Sequence, residues 1–310
     1  MAKVDVKPKK IGITKRTKKL IFCWALIILP LIQFAIFYIG VNLNSIRLAF
    51  VEFSGYKDET GHWVGLKNFS DVLNEIFALG NWPIMIKNSL LVWLLGLVTK
   101  LPLTIIISFF IYKNAKVGGI FKVILFAPSI VSTMVMIMLY EYFIDNAIPE
   151  MLLKLFNCKL EMSLFKDPDT RFWTLFSYGF WTGFGVGLLL YTNAMNAISE
   201  SIVEAAHLDG VGYMQEFFYI TLPMIFPTMK TLLVVGSASV LLDQFNLFEF
   251  YGMTAATDIQ TVGYYIFKET MLSADNYPRI AAMGIIVTCV AVPITLTIRY
   301  LLNKVDPMEG

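Results

Sequence analysis

Apolar residues in this chain are gathered into long runs rather than alternating with polar ones. Six runs of about 22 to 25 residues lie at about 20–41, 88–112, 120–143, 172–196, 228–251 and 280–302. A helix rises about 1.5 Å per residue, so each run is long enough to cross a hydrocarbon layer about 30 Å thick. The pattern predicts an all-α polytopic membrane protein with six transmembrane helices.

The composition agrees with this pattern and excludes an ordinary soluble enzyme. Of the 310 residues, 57% are apolar and 15% are charged, whereas about a quarter of a soluble domain is charged. The longest connection, about residues 42–87, is too short for a typical separate domain. We therefore expect one transmembrane domain over residues 20–310, preceded by a basic tail of residues 1–19.

The distribution of charges predicts the orientation in the membrane. Residues 1–19 hold eight basic residues and one acid. The side that contains both termini carries 14 basic and 7 acidic residues, and the opposite side carries 10 basic and 13 acidic residues. Basic residues near the ends of spans remain in the cytoplasm. Both termini are predicted to be cytoplasmic.

The chain contains no recognisable catalytic, nucleotide-binding or metal-binding motif. It has neither a G-x-x-x-x-G-K-[ST] loop nor a G-x-S-x-G elbow. His62 and His207 are predicted on opposite sides of the membrane, so no metal site is expected. No cofactor is expected on this chain, nor nucleic acid as a partner, because topology and anionic lipid explain the basic tail. Gly179, Gly183 and Gly187 have a spacing typical of closely packed membrane helices.

One predicted cytoplasmic segment, residues 199–227, is unusually acidic. It carries Glu200, Glu204, Asp209 and Glu216, which reverses the excess of positive charge expected on that side. Acidic residues are unfavourable on an anionic inner leaflet. The segment is therefore predicted to contact a protein rather than lipid.

The same segment is predicted to form two short helices. Ser201 and Glu204 have the spacing of a capping box at a helix start. Gly210 stands where a helix end favours a residue with positive φ. Pro223 is expected to end the second helix, because proline has no backbone N–H to donate.

The residues of this segment resemble the EAA loop of the membrane permeases of ABC-type importers. The matching residues are Glu204, Ala205, Ala206, Gly210, Ile220, Leu222 and Pro223. In that family the loop contains the coupling helix, which docks on a cytoplasmic ATPase. The resemblance implies a type I ABC importer permease fold in a prokaryotic cytoplasmic (inner) membrane. It also implies that ATP and Mg bind to a pair of partner ATPase subunits.

Shorter matches point to the carbohydrate branch of the family. Residues 65–69, GLKNF, are similar to a motif that sugar permeases carry after the first span. Asn88-Ser89 and residues 116–128 resemble the starts of their second and third spans. Residues 253–257, MTAAT, depart from the external turn of that family. The resemblance implies a sugar substrate, an extracellular solute-binding protein and a second EAA-type permease, more often a different chain.

Polar residues within the predicted spans are candidates for the substrate path. Ionisable groups at membrane depth usually face a bundle interior or a wet path, and sugars bind to hydrogen-bonding groups beside aromatic rings. Lys100 is expected to pair with Asp243 or Glu141. The predicted path residues are Asp243, Gln244, Asn246, Glu249, Tyr178, Trp181 and Asn193.

These observations predict a permease subunit that forms half of an ATP-driven import path for a sugar or oligosaccharide. A permease for glycerol phosphate, a polyamine or another small solute is the first alternative. An ion-coupled secondary transporter would use the same intramembrane acids, and a membrane scaffold is a third alternative.

Overall fold

The computed structural model describes residues 15–53, 61–78, 80–157, 159–160 and 162–306. Most of the basic tail predicted at residues 1–19 lies outside this part of the chain. The described residues are mainly helical, as predicted. Their only sheet is an antiparallel hairpin in which Val51 pairs with Trp63.

The described residues form two strands and twelve α-helical elements, some of which include a π-helical turn. The strands are β1 (Val51–Glu52) and β2 (His62–Trp63). The helices are α1 (Lys15–Leu48), α2 (Lys67–Ala78), α3 (Trp82–Lys113), α4 (Ala115–Ile130), α5 (Thr133–Phe156), α6 (Arg171–Thr182), α7 (Phe184–Asn196), α8 (Glu200–Leu208), α9 (Tyr213–Ala238), α10 (Leu247–Tyr251), α11 (Val262–Leu272) and α12 (Tyr277–Val305). A 3-10 turn, Ala274–Asn276, precedes α12.

Three helices contain a π-helical turn that ends two residues before a proline. These turns are Gly96–Lys100 in α3, Phe143–Ala147 in α5 and Phe217–Thr221 in α9. In α9, Leu222 N–H donates to the carbonyl of Phe217, five residues back. The wider turn lets the helix continue through Pro223, whose ring would otherwise crowd the preceding turn. The prediction that Pro223 ends a short helix is therefore wrong.

Within the residues that the structure describes, four helices are long and apolar enough to cross a membrane: α1, α3, α9, and α12 with the 3-10 turn before it. The helices α4 and α5 form a fifth, broken candidate with a bend of 102°. The break lies at Val131 and Ser132, whose ψ angles of 145° and 132° are extended. The prediction of one continuous helix over 120–143 is therefore wrong.

The predicted fourth and fifth spans also have different boundaries in the structure. The run 172–196 is divided at Gly183 into α6 and α7. The run 228–251 is wrong as a single helix, because α9 begins at Tyr213 and ends at Ala238. After Ala238 the chain turns, and Phe245 and Asn246 adopt positive φ angles of 58° and 54°.

Three clusters of buried apolar side chains hold the bundle together. The first joins α5, α6 and α10, the second joins α2, α3 and α12, and the third joins α3, α7 and α9. The helix α3 thus contributes to two of the three clusters. The side chains of α1 are exposed from Lys15 to Arg47, and residues 41–48 contact α12.

Candidate functional site

The acidic segment contains the first candidate site, the coupling segment (residues 199–227). Its first helix, α8, begins at Glu200 after an extended Ser199. The Ser199 hydroxyl bonds to the Ser201 hydroxyl at 2.8 Å and does not cap the helix. The predicted capping box of Ser201 and Glu204 is therefore wrong, because Ser201 lies inside the helix.

The turn after α8 has the geometry that the sequence predicts. Gly210 has a φ of +81°, which a residue without a Cβ adopts at little cost. Val211 N–H donates to the Ala206 carbonyl at 3.0 Å, the long-range bond of a Schellman helix end. Ala206 is buried. This turn places the start of α9 directly after α8.

The residues that resemble the EAA motif divide into two groups. Glu204, Ala205 and Gly210 are exposed. Ala206 is buried, and Ile220, Leu222 and Pro223 are half-buried. One part of the motif therefore lies on the surface, and the other part lies against the bundle.

Sequence analysis missed a set of large exposed apolar side chains beside this motif. Leu208 is 89% exposed and Tyr219 is 79% exposed, and Tyr213 and Met214 are also exposed. Leu208 lies one turn after exposed Glu204 on α8, and an exposed apolar side chain beside a charged one is typical of a protein interface. Their signal in the sequence was a group of apolar residues outside the predicted spans.

The sequence also did not indicate the charge triad, which we define as Lys113, His207 and Glu216. The Glu216 side chain is completely buried and forms an ion pair with Lys113, the last residue of α3. Its other oxygen lies 3.0 Å from His207 Nε2 on α8. A buried carboxylate is costly unless it is paired in this way. The triad joins three helices at one point.

The second candidate site is a central cavity of about 600 Å³ between α3, α6, α7, α9 and the turn after α9. Lys100 and Thr104 line it from α3, and Asp243 and Asn246 line it from the turn. The cavity combines charges, hydroxyl groups and an amide. Its aromatic walls are Trp93, Phe176, Phe180, Tyr191 and Phe245.

Three glycines that the sequence assigned to helix packing also line the cavity: Gly179, Gly183 and Gly187. A Cβ at position 183 would collide with the Lys100 ammonium group, and one at position 187 would lie 3.3 Å from Thr104. The absence of side chains at these glycines therefore has two effects. It lets α7 pack closely against α3, and it leaves room for the Lys100 side chain.

Asp243 is held by the turn after α9. One carboxylate oxygen accepts a hydrogen bond from Phe245 N–H at 2.8 Å, and the carbonyl accepts one from the Thr261 hydroxyl at 2.7 Å. Lys100 and Asp243 attract each other electrostatically, but the described contacts of these two residues include no ion pair between them. The predicted pairing of Lys100 with Asp243 is therefore present only as an electrostatic attraction, and no ion pair of Lys100 with Glu141 is found among the described residues.

The structure places the predicted path residues in several different environments. Of these residues, Asp243 and Asn246 line the cavity, whereas Gln244 does not. Tyr178 and Trp181 pack around Tyr140 in an aromatic cluster. One Glu249 carboxylate oxygen is buried without a hydrogen-bond partner. Asn193 is an exposed residue of α7.

Two other sequence motifs have structural roles outside the cavity. The Asn68 amide of the GLKNF motif is buried and donates to the carbonyls of Ala49 and Val51. The Asn88 amide donates to the carbonyls of Asp258 and Gln260 in the turn before α11. Both side chains hold loops of the predicted external side in place.

Comparisons with known proteins agree with this architecture. The permease YesP of Bacillus subtilis, a probable ABC transporter permease, is 28% identical over 193 residues, which cover 61% of each chain. The chain therefore spans about three fifths of that relative. The arabinooligosaccharides permease AraP of Halalkalibacterium halodurans is 25% identical over 77% of this chain and 75% of that protein.

A solved structure also has the same fold. The crystal structure of a bacterial ABC transporter involved in the import of the acidic polysaccharide alginate matches with a TM-score of 0.77 and 23% identity. The match covers 94% of this chain and 98% of that one.

The family of binding-protein-dependent transport system inner membrane components matches residues 100–307. This range contains α4 to α12, the coupling segment and the part of α3 from Lys100 onward. Because it covers more than half of the chain, the chain belongs to the family of binding-protein-dependent transport system inner membrane components.

Proposed function

We propose that this chain is the transmembrane permease subunit of an ATP-driven ABC importer for a sugar or oligosaccharide. It forms half of the path, and a second EAA-type permease, most often a different chain in this family, forms the other half. A pair of cytoplasmic ATPase subunits binds ATP and Mg, and an extracellular solute-binding protein delivers the cargo. This chain itself has no catalytic role and binds no cofactor.

The observation that carries the proposal is the coupling segment. Its first helix exposes Glu204 and, one turn further on, the large apolar side chain of Leu208, a composition suited to docking on an ATPase. The cavity supports a carbohydrate cargo, because hydroxyl groups require hydrogen-bonding partners and sugar C–H faces pack on aromatic rings. We further propose six spans, from the six apolar runs, with both termini in the cytoplasm, from the charge distribution.

The coupling test uses substitutions of Glu204 and Gly210 in reconstituted vesicles. Glu204→Gln and Glu204→Ala are expected to impair ATPase docking to a similar extent, because either removes the charge. Gly210→Val is expected to be at least as damaging, since a β-branched residue disfavours positive φ. The measurements are ATPase copurification and hydrolysis stimulated by the binding protein. Normal behaviour of both Glu204→Ala and Gly210→Val contradicts the coupling role.

The path test compares two cavity residues with a neighbour outside the cavity. Asp243→Ala and Asn246→Ala are expected to lower uptake, whereas Gln244→Ala serves as the matched control from the same turn. Complex recovery and binding-protein affinity are measured in parallel. Equal uptake by all three variants and the unmodified chain contradicts a path-lining role for the cavity.

A negatively charged cargo, such as an acidic sugar or glycerol phosphate, is the second candidate. It is favoured by Lys100, whose ammonium group lies in the cavity beside Gly183 without an ion pair among the described residues. Competition for uptake by neutral and acidic sugars of the same length distinguishes the two candidates.

A further inference from the structure

The charge triad lies where motion of the coupling segment would reach the rest of the bundle. His207 belongs to α8, Glu216 to the first turns of α9, and Lys113 to the last turn of α3. The Glu216 side chain is completely buried, and that of Lys113 is 13% exposed. These contacts connect α8 to α3 through a single carboxylate.

Both long helices that meet at the triad also line the central cavity. The helix α3 supplies Lys100 and Thr104, and α9 supplies Leu233 and Gly236. Lys113 lies about 20 Å along α3 from Lys100 at the rise of a continuous helix. A displacement at the triad can therefore reach two walls of the cavity through continuous helices.

The apolar contacts around the triad already attach α9 to the bundle, so the ion pair contributes a fixed direction rather than attachment. Phe217 and Ile225 of α9 already pack against α3 and α7 in a buried cluster, so attachment of α9 does not require Glu216. An ion pair with hydrogen bonds is directional, whereas apolar contacts allow sliding. His207 is held by this contact although its side chain is 54% exposed.

We propose that Glu216 is a positioning residue for transport: through Lys113 and His207 it fixes the coupling helix α8 to α3 and α9, so that movement of α8 changes the shape of the cavity. This inference rests on the proposed coupling function and assigns the transmission of motion to a specific carboxylate. Lys113 and His207 are positioning residues as well, because each binds one oxygen of the Glu216 carboxylate.

The experiment measures whether ATP binding moves the cavity walls. Spin labels are attached to cysteines at Val98 on α3 and Val235 on α9, which are 60% and 65% exposed, in a chain whose native cysteines are replaced by serine. The complete complex, with its ATPases, is measured with and without ATP and vanadate. We expect a change in label distance in the parent chain, and loss of most of that change in Glu216→Gln and His207→Ala.

Two further variants separate positioning from simple stabilisation. Lys113→Met with Glu216→Met removes both buried charges and should restore complex recovery, since paired charges can often be replaced by apolar residues without loss of stability. It should still lack the distance change, because methionine does not orient His207. Lys230→Met breaks the buried contact with Asp306 that joins α9 to the end of α12, and it should retain the change.

Each result decides the question. An unchanged distance shift in His207→Ala or in Glu216→Gln overturns the inference. So does a normal shift in the double methionine variant, loss of the shift in Lys230→Met, or the absence of a shift in the parent complex. If Glu216→Gln does not assemble, His207→Ala and the double variant decide. Gly210→Val separates this inference from the proposed function: if Gly210→Val abolishes ATPase docking while the triad variants behave normally, only the inference fails.

Discussion

The coupling segment and the central cavity use charged residues in opposite ways. In the coupling segment, the Glu216 carboxylate is fully buried and has two cationic or hydrogen-bonding partners. In the cavity, Lys100 and Asp243 line the same space without forming an ion pair among the described contacts. Paired buried charges favour one geometry, whereas the Lys100 charge in the cavity is not held by an ion pair among the described residues.

The neighbouring residues explain the difference. The charge triad lies next to a cluster of buried apolar side chains that includes Phe217, and the fully buried Glu216 carboxylate depends on its two partners. Around Lys100, the absence of a side chain at Gly183 leaves room for the ammonium group. Asp243 is already engaged with the backbone of Phe245. In the cavity, the small size of Gly183 leaves the Lys100 ammonium group without an enforced partner. In the coupling segment, close packing around Glu216 makes an ion pair necessary.

The largest expected effect on stability comes from breaking the triad. Lys113→Met leaves a fully buried Glu216 without its ammonium partner, and removal of one partner from a buried pair costs about 3–5 kcal/mol. Thermal unfolding in detergent measures the loss. The control is Lys113→Met with Glu216→Met, which should recover most of the stability. A single variant as stable as the unmodified chain contradicts the contrast between the two regions.

A smaller loss is expected where α11 packs against the turn that carries Asp243. A Cβ at position 263 would collide with the Leu242 carbonyl group and lie 2.7 Å from the Asp243 carbonyl oxygen. Gly263→Ala should therefore cost about 1–3 kcal/mol by overpacking and displace Asp243 from the cavity wall. Gly284→Ala is the matched control, because nothing lies within 4 Å of a Cβ there. Equal stability of the two variants would show that the turn can move away from the added Cβ without a loss in the free energy of unfolding.

Replacement of the cavity lysine sharpens the comparison, because it should lower transport of an anionic cargo while leaving stability nearly unchanged. Lys100→Met removes a charge that has no ion pair among the described residues, so the free energy of unfolding should change by about 1 kcal/mol or less. If the cargo is anionic, its uptake should fall about 10- to 100-fold, the value of a hydrogen bond to a charged group. Unfolding in detergent and uptake in vesicles are measured on the same preparation. A large loss of stability with normal uptake would show that Lys100 stabilises the fold and does not bind the cargo.

The smallest effect is expected at an ion pair near the exposed end of α6. Arg171 Nε donates to Asp258 at 2.8 Å; the Arg171 side chain is 15% exposed and the Asp258 side chain is 44% exposed, so the carboxylate, unlike that of Glu216, reaches water. Because water screens such a pair, Arg171→Gln should cost about 0–1 kcal/mol, and added salt should reduce even that cost. A loss as large as that of Lys113→Met contradicts the view that burial sets the value of each pair.

Local features near strong sequence signals were predicted correctly, and those that depend on distant neighbours were not. The positive φ of Gly210 followed from its position after α8. The prediction of a capping box at Ser201 was wrong, because α8 begins at Glu200, one residue before Ser201. The long apolar run 228–251 did not reveal the end of α9 at Ala238, since a turn inside a protein can be as apolar as a helix.

The candidate sites show the same division. The spacing of the EAA residues is specific enough to indicate the family, and the coupling role of their segment stays a prediction. Asp243 and Asn246 were recognised as polar residues in an apolar run, and both line the cavity. Tyr178 and Trp181 had the same signal, yet they pack in an aromatic cluster. A side chain's direction depends on the helix that packs against it, and the sequence of one helix does not contain that information.

The sequence by itself determined the membrane class, the helical composition and the family motif, because these depend on composition and on spacing along the chain. The tertiary structure decided which polar residues share a cavity and which are paired. Lys113 and Glu216 are far apart in sequence and meet only because the end of α3 and the start of α9 come together beside α7. Their pairing depends on the three-dimensional proximity of two helices, which the pattern of either helix alone does not specify.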